Sequence, residues 1–388
     1  MTDRLSPKAI MDKLISFPTV SRDSNLPLVD WVESYLNSHG IEAHRHYDES
    51  GEKAALFAHV GPWIEGAVIL SGHTDVVPVD GQSWDSDPFT VTERDGKYFG
   101  RGTCDMKGFD AIAIWALVEA QHRGVTRPLQ LALSYDEEIG CTGAPPMIRA
   151  MQPVLPKGSA VIVGEPSMMK AVTGHKGGYG YATHVQGFEV HSSLIHTGVS
   201  AIMFAAPLIE WANRSNEANQ DKAPDEIAAM FEPSWTTLHV GVIEGGTAQN
   251  ITAKDCRFSM DMRVVPSESA DDWGDAYKAR VREIETQMQA IHPETRIDVT
   301  QTFNVPGLKP EKDGEAEAIV RQITGDNESH VVSYGTEAGQ FQEAGYSAVV
   351  CGPGSIAQAH QPNEYISVAQ FQAGVDFADQ LVARLQEG

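Results

Sequence analysis

Four short apolar runs in this chain each lead into histidine or carboxylate side chains. Runs of this length are typical of buried strands. In open α/β sheets, functional side chains gather at the carboxyl ends of the strands. We therefore expect a mainly parallel sheet covered by helices, with these side chains along one edge. The runs are residues 67–70 before His73, 129–133 before Glu137 and Glu138, 160–163 before Glu165, and 348–350 before His360.

A fifth residue of the same kind, Asp105, lies in the glycine-rich segment 100–108, just ahead of an apolar helix. Imidazole and carboxylate groups collected at one place suit zinc. A carboxylate has two oxygens, so Asp105 suits a bridge between two cations roughly 3.5–4 Å apart, the separation usual in two-metal sites. His73 and Asp75 are two residues apart on an extended segment, so we expect Asp75 to accept the second ring N–H of His73.

Glu137 and Glu138 are adjacent, so their side chains are expected to point in opposite directions. One can then face the metals and the other the attacking water, which separates a ligand from a general base. Any single residue of this set would read as a solvated turn carboxylate or a structural histidine. The ordered series of five indicates a two-metal hydrolase.

Segments along nearly the whole chain resemble the M20 family of dinuclear zinc aminoacylases and carboxypeptidases. They occur in family order. They are SGHTDVVP at 71–78, residues 84–89, residues 100–108, DEEIG at 136–140, VGEP at 163–166, GPGS at 352–355 and AHQPNEY at 359–365.

The resemblance implies a role for each of these candidate residues and two zinc ions per chain, with Co²⁺ a substitute. The catalytic base would be Glu137, supported by Asp75 behind one ligand. The metal ligands would be His73 and Glu165 for one zinc, Glu138 and His360 for the other, and Asp105 as the bridge.

The same resemblance favours the deacetylase branch of the family, which hydrolyses N2-acetyl-L-ornithine to acetate and L-ornithine. Gly335-Thr336-Glu337-Ala338 resembles the deacetylase version of a variable loop. Thr336 and Glu337 are therefore substrate-binding candidates, and Glu337 suits a substrate ammonium. Asn250 and Arg263 match two further positions, and Arg263 can form a forked pair with an α-carboxylate.

His191 resembles the family histidine that stabilises the oxyanion of the partner subunit's site, with His196 as the rival. A homodimer follows from this expectation. Three related activities stay open: succinyl-diaminopimelate desuccinylase, a broader N-acyl-amino-acid amidohydrolase and a dipeptidase. A desuccinylase needs a cationic group for the distal carboxylate, and residues 335–340 contain none. A non-catalytic amino-acid-binding module would predict a missing base or ligand, and none is missing.

Two domains are expected in this chain. Residues 176–180 are glycine-rich and suit a hinge, so residues 1–176 and 303–388 would form the metal-binding, zinc-exopeptidase-like domain. Residues 177–302 follow a β-α-β-β-α-β order, which predicts a ferredoxin-like α+β insert. The resemblance implies that this insert is a lid and dimerisation domain.

The resemblance implies a small N-acyl amino acid as the partner, and composition argues against two other classes of partner. The net charge of −24 argues against nucleic acid and anionic membranes as partners. No apolar run has the length that a membrane-spanning helix requires. The four cysteines are scattered without paired spacing, which favours a reducing cytoplasm.

Overall fold

The computed structural model describes residues 4–387, in which strands and helices alternate along much of the chain. The strands are β1 Ala43–Tyr47, β2 Ala54–Val60, β3 Ala67–His73, β4 Thr92–Arg94, β5 Lys97–Phe99, β6 Leu129–Ser134, β7 Gly158–Pro166, β8 Val172–His175, β9 Gly177–Gln186, β10 Thr237–Gly245, β11 Asp255–Val264, β12 Arg296–Val305, β13 His330–Val332, β14 Ser347–Gly352 and β15 Tyr365–Ser367. The helices are α1 Pro7–Ile15, α2 Leu26–Ser38, α3 Lys107–Arg123, α4 Ala144–Met151, α5 Ala201–Asp221, α6 Ala270–Ile291, α7 Glu315–Thr324, α8 Ala338–Glu343 and α9 Val368–Glu387. Short 3-10 segments cover Ser192–Thr197, Ala228–Met230 and Ile356–Gln358.

The chain divides into two compact units. The first contains the residues up to Gly174, Pro310–Val331 and the residues from Thr336 onward. The second contains His175–Lys309 and Val332–Gly335. The function of the second unit as a lid and dimerisation domain stays a prediction.

The first unit is built on an eight-stranded sheet of order β1-β2-β6-β3-β7-β14-β8-β13. Its central pairs β6–β3, β3–β7 and β7–β14 are parallel, and the pairs β1–β2, β2–β6 and β14–β8 are antiparallel. All seven residues of β3 are buried, as expected for a strand covered on both faces. The predicted α/β class with a mainly parallel sheet is confirmed.

Helices cover the sheet in two groups: α1, α3, α7 and α9 contact one another in series, and α4 contacts α8. The first helix begins with Ser6 as the capping residue, which accepts a hydrogen bond from the Ala9 amide, and with proline at the first turn. α3 is buried almost all round, because α1, α9 and the sheet surround it. In the described residues no helix combines the length and apolar character that a membrane crossing requires.

The second unit contains an antiparallel sheet of order β10-β11-β9-β12, with α5 and α6 against it. In chain order the elements run β9-α5-β10-β11-α6-β12, and the strand order is that of a split βαβ unit. The face of α6 buries Tyr277, Val281, Ile284 and Met288 at helical spacing. The inserted α+β domain is therefore confirmed as a fold.

Two segments differ from the sequence-based interpretation. Gly177, Gly178 and Gly180 belong to β9 and pair with β11, and Gly178 and Gly180 also pair with β12, so these residues do not form the glycine-rich loop that the sequence suggested. The expected boundary at residue 303 falls inside β12, since that strand runs to Val305. The glycines provide space: a side chain at Gly180 would lie 2.2 Å from the Phe303 ring.

Candidate active site

The neighbouring parallel strands β6, β3, β7 and β14 end at the same edge of the first unit's sheet. His73 is the last residue of β3, and Glu165 is the last but one of β7. Glu137 and Glu138 follow the end of β6 by three and four residues, and His360 lies beyond the end of β14. This topology explains why residues far apart in sequence meet at one place.

Asp105 lies between the two histidines. Its Oδ1 is 3.2 Å from Nε2 of His73, and its Oδ2 is 3.3 Å from Nε2 of His360. The side chains of Asp105 and His73 are 6 % and 1 % exposed, whereas the side chain of His360 is 53 % exposed. Each oxygen of one carboxylate thus faces a different imidazole, the arrangement that a bridge between two cations requires.

The other carboxylates complete two groups of possible ligands around His73. Glu138 joins His73 and Asp105, and Glu137 joins His73 and Glu165, with the ligand atoms of each group within 4.8 Å of one another. Glu138 Oε2 also lies 2.9 Å from Nε2 of His360. The structure therefore brings together all five residues predicted as ligands and the predicted base.

Asp75 lies behind His73, where the sequence places it, and it also contacts the glutamate pair. The Nδ1 atom of His73 is 3.0 Å from the main-chain oxygen of Asp75 and 3.5 Å from its carboxylate. The carboxylate also accepts hydrogen bonds from the main-chain N–H groups of Glu137 and Glu138, at 3.2 and 3.4 Å, and from the Ser21 hydroxyl at 2.6 Å. One residue consequently holds both the imidazole and the glutamate pair.

Glu137 has a local partner in Cys141. The thiol donates to Glu137 Oε1 at 3.2 Å, and the main-chain N–H of Cys141 donates to the Glu137 carbonyl at 2.9 Å. Gln340 Nε2 donates to the Cys141 carbonyl, which fixes the turn from the other side. Burial and the nearby Glu137 carboxylate raise the pKa of the Cys141 thiol well above its usual value, so the thiol keeps its proton.

The buried carboxylates destabilise one another's charge. Burial, together with the charge of Asp105, raises the pKa of Glu138 to about 8 and that of Glu165 well above its usual value. Burial also raises the pKa of Glu137. Asp105 is the exception, because hydrogen bonds from His360 and His73 outweigh its burial and lower its pKa. The same contacts with Asp105 and Glu138 raise the pKa of His360 to about 10.

This cluster fits a metal ion chemically. Oε1 of Glu138 is buried and has no hydrogen-bond partner among the described residues, an arrangement that is costly unless a cation or a proton meets it. Imidazole nitrogens and carboxylate oxygens are the donor set of zinc and related divalent metals. Carboxylates crowded at the ends of buried strands are stabilised by the charge that such metals bring.

Thr336 and Glu337, two predicted substrate-binding residues, are buried behind this edge. Oγ1 of Thr336 accepts a hydrogen bond from the main-chain N–H of Ala338 at the start of α8. The Ser134 hydroxyl donates to Glu337 Oε1, while Glu337 Oε2 has no partner among the described residues. Burial raises the pKa of Glu337 to about 8.

The remaining candidates lie in the second unit, where the structure joins two of them. His191 is exposed and forms an isolated bridge with Ile251, and the Ser192 N–H donates to the Asn250 carbonyl at 2.8 Å. The rival His196 is also exposed, in the 3-10 segment that follows His191.

Arg263 lies in β11, and its Nε donates to Asp261 Oδ2 at 3.1 Å. A side chain at Gly178, its partner across the strand pair, would lie 3.2 Å from Arg263 Nη1. Asp261 and the space over Gly178 thus set the orientation of the guanidinium.

Sequence reasoning missed three contributors to the first unit's site: Ser21, Cys141 and Glu364. Ser21 lies beside Asp75 only in the folded chain, so no local pattern marks it. Cys141 directly follows the segment 136–140, but its thiol is outside the expected set of oxygen and nitrogen ligands, so the sequence favoured a structural role for it. Glu364 lies within the segment that carries His360, and its 1 % exposure is unusual for a glutamate.

Comparisons with known proteins identify the family. The family model described as peptidase family M20/M25/M40 matches residues 69–384. This chain belongs to the M20 peptidase family. As an M20 protein it is a metal-binding hydrolase by family. Two similar curated proteins are the acetylornithine deacetylases of Myxococcus xanthus, 34 % identical over 95 % of this chain and 94 % of that protein, and of Proteus mirabilis, 32 % identical over 95 % and 94 %.

Solved M20 structures share the fold. The M20 family metallo-carboxypeptidase Sso-CP2 from Sulfolobus solfataricus matches with a TM-score of 0.80 and 16 % identity, over 99 % of this chain and 100 % of that one. The Bacillus subtilis YXEP protein, described as a dinuclear metal binding peptidase, matches with a TM-score of 0.67 and 13 % identity, over 98 % and 96 %. The predicted fold class and family are thus confirmed.

Proposed function

We propose that this M20 protein hydrolyses the acetyl amide of N2-acetyl-L-ornithine, giving acetate and L-ornithine. The observation that carries the hydrolytic part is the position of Asp105, which offers one oxygen to His73 and the other to His360. The choice of substrate is supported by similarity to acetylornithine deacetylases over most of the chain. We also propose a cytoplasmic location, on the reasoning from cysteine usage, and a place in arginine biosynthesis.

The proposed cofactor is a pair of zinc ions, for which Co²⁺ can substitute. When bound, two such metals lower the pKa of a water molecule and polarise the substrate carbonyl. The residues proposed to hold them are His73 and Glu165 on one side, Glu138 and His360 on the other, and Asp105 between them.

Glu137 is the proposed general base. It takes a proton from the attacking water, whose oxygen forms a bond to the acetyl carbon as the carbonyl oxygen becomes an oxyanion; the C–N bond breaks when the C=O bond re-forms. Glu137 then passes the proton to the departing amine, so that no net proton stays on the protein. Burial raises the pKa of Glu137. Its proton affinity therefore lies closer to those of the attacking water and the departing amine, with which it exchanges the proton.

We further propose that the protein acts as a homodimer in which His191 donates a hydrogen bond to the oxyanion in the partner's site. The supporting observations are that His191 is exposed and that it belongs to the second unit, whereas all the proposed ligands belong to the first. Removing one oxyanion donor typically costs roughly 10²–10³ in turnover.

Arg263 is the proposed partner of the substrate α-carboxylate, with Asn250 on the loop that adjoins His191. Glu337 is the proposed partner of the side-chain ammonium, through Oε2, and Thr336 stabilises the loop that carries it. If so, Glu337→Gln should raise KM for N2-acetyl-L-ornithine more than KM for N-acetyl-L-methionine, because only the first substrate carries a cation.

A screen of N-acetyl, N-succinyl and N-formyl amino acids by amine release tests the substrate. We expect the highest kcat/KM for N2-acetyl-L-ornithine. A preference for N-succinyl substrates would instead indicate a desuccinylase, and turnover of unblocked dipeptides a dipeptidase. No turnover of any amide by zinc-loaded protein would contradict the hydrolytic proposal itself.

A further inference from the structure

A buried ion pair lies beside the proposed metal site and takes no part in the chemistry described above. Arg101 and Glu364 are each 1 % exposed, and Arg101 Nη1 lies 2.5 Å from Glu364 Oε2. Arg101 precedes Asp105 by four residues, and Glu364 follows His360 by four. The pair therefore joins the two chain segments that carry these proposed ligands.

The other carboxylate oxygen of Glu364, Oε1, holds the loop around Asp105 through the main chain of that loop. Glu364 Oε1 accepts hydrogen bonds from the N–H groups of Gly102, Cys104 and Asp105, at 3.0, 3.0 and 3.1 Å. This loop belongs to neither a helix nor a strand, so these contacts set much of its conformation. A carboxylate that accepts several main-chain N–H groups is a strong local anchor.

The second branch of Arg101 reaches the His360 segment. Arg101 Nη2 donates to Gln82 Oε1 at 2.8 Å, and Gln82 Nε2 donates to the His360 carbonyl at 3.1 Å. His360 has a φ of +63°, which a non-glycine residue keeps only where its surroundings hold it. Gln82 provides such a contact at the main chain, while the imidazole itself is half exposed.

We infer that Arg101 and Glu364 are positioning residues that set the distance between Asp105 and His360. They thereby set the affinity of the metal that Glu138 and His360 are proposed to hold, called the second metal below. This inference rests on the proposed metal-dependent function. A buried ion pair adds little net stability on average, because desolvation offsets its attraction. Its place here is explained by the geometry it imposes on two ligands that come from irregular segments.

Glu364→Gln is the main test. The amide keeps the volume of the carboxylate but places an NH2 group where an oxygen accepted, among partners that are all donors, so at least one contact must break. Outer-shell changes typically weaken metal binding 10–100-fold. We expect equilibrium dialysis against buffered Zn²⁺ to show two zinc per chain in the wild type, and one retained and one weakened by that factor in the variant.

The double variant Arg101→Met/Glu364→Met separates positioning from stability. It removes both charges, so no unpaired buried charge is left to destabilise the fold. If the pair has a positioning role, the double variant should have a melting temperature closer to that of the wild type than Glu364→Gln has, while its second zinc site still binds weakly. Recovery of both would show that the pair acts only through stability, and would overturn the inference.

Two further variants keep the test decisive even if Glu364→Gln fails to fold. Gln82→Ala cuts only the branch to His360 and lies at a partly exposed position, so it should weaken the second zinc by a smaller factor. Glu33→Gln, which breaks an ion pair with Arg45 between α2 and β1, is the matched control and should leave zinc binding unchanged.

Wild-type zinc affinity in both Gln82→Ala and a folded Glu364→Gln would overturn the inference. A wild-type protein that binds two zinc ions but hydrolyses no amide would contradict the proposed function and leave the positioning role intact.

Discussion

At the scale of single residues, Glu137 and Glu138 are adjacent carboxylates with different surroundings. Glu138 contacts His360, whereas Glu137 accepts the Cys141 thiol. We expect Glu137→Gln to keep both metals and lose ~10²–10⁴ in kcat, the usual contribution of a general base. Glu138→Gln should instead lower zinc content. Metal analysis and steady-state kinetics on both variants check this, and exchanged phenotypes would reverse the assignment.

Cys141 provides a second residue-scale test, because its thiol contacts one oxygen of the proposed base. A typical hydrogen bond contributes about 0.5–1.5 kcal/mol, which corresponds to about two- to tenfold in rate if it orients Glu137 in the transition state. Cys141→Ala should lower kcat by that factor with KM and zinc content unchanged, and Cys141→Ser should retain most of the activity. Equal kcat values for the two variants would exclude the hydrogen bond as the cause.

Residue types and spacing were sufficient to predict which side chains meet at the sheet edge, since strand ends in a parallel sheet share that edge. They were not sufficient for the contacts behind them. The sequence pattern paired Asp75 with His73, but it did not predict that the same carboxylate also holds the main chain of Glu137 and Glu138. The two-residue period of an extended segment predicts the face on which a side chain lies. The contacts of that side chain depend on residues elsewhere in the chain, here those that follow β6.

At the scale of elements, β9 shows how glycine composition alone misleads. Glycines at 177, 178 and 180 resemble a flexible hinge, but the strand needs them because other groups occupy the space of a side chain. The crowding at Gly180 comes from Phe303 on β12, which lies more than a hundred residues away in sequence. The three-stranded sheet β15-β5-β4 was not predicted for a different reason: each of its strands has only three residues.

Gly180→Ala tests this explanation. The added methyl group would lie within 2.2–2.4 Å of Phe303 and Thr302, so overpacking should destabilise the protein by about 1–3 kcal/mol. Gly241→Ala is the matched control, because its nearest neighbour is the far end of the His239 side chain at 3.3 Å. Urea unfolding of both variants checks the prediction. Unchanged stability with altered kcat in Gly180→Ala would favour the hinge.

At the scale of the whole molecule, the crowded carboxylates predict how stability depends on pH. The pKa values of Glu138 and Glu337 are raised to about 8 by burial, from an ordinary 4.5. Groups with a raised folded-state pKa stabilise the fold fully below their unfolded pKa and lose this contribution as pH rises through the folded value. His360, raised from 6.5 to about 10, acts in the same direction at higher pH.

Chelator-treated protein should therefore become less stable between pH 5 and pH 8. Zinc-loaded protein should gain more from its metal at pH 8, because metal binding requires deprotonated ligands. Urea unfolding at pH 5, 6.5 and 8, with chelator or with Zn²⁺, measures both trends. Glu337→Gln should flatten the slope of the chelated protein, since it removes one titrating group. A chelated protein that is more stable at pH 8 would contradict this account.

The proposed shared site makes a prediction about mixed dimers. Glu137 lies in the first unit and His191 in the second. If His191 completes the partner's site, a heterodimer of Glu137→Gln and His191→Ala subunits contains one site with both residues intact. Mixing two nearly inactive variants should then restore up to about half of the wild-type activity per heterodimer, because one of its two sites is complete.

The outcome depends on subunit exchange, so each variant carries a different affinity tag and the doubly tagged species is purified before assay. His196→Ala is the matched control for His191→Ala, since it alters another exposed histidine of the same segment and should retain activity as a homodimer. Losing one oxyanion donor costs roughly 10²–10³ in turnover, so restored activity stands well above either parent. A doubly tagged dimer as inactive as its parents would mean that His191 acts within its own chain or not at all.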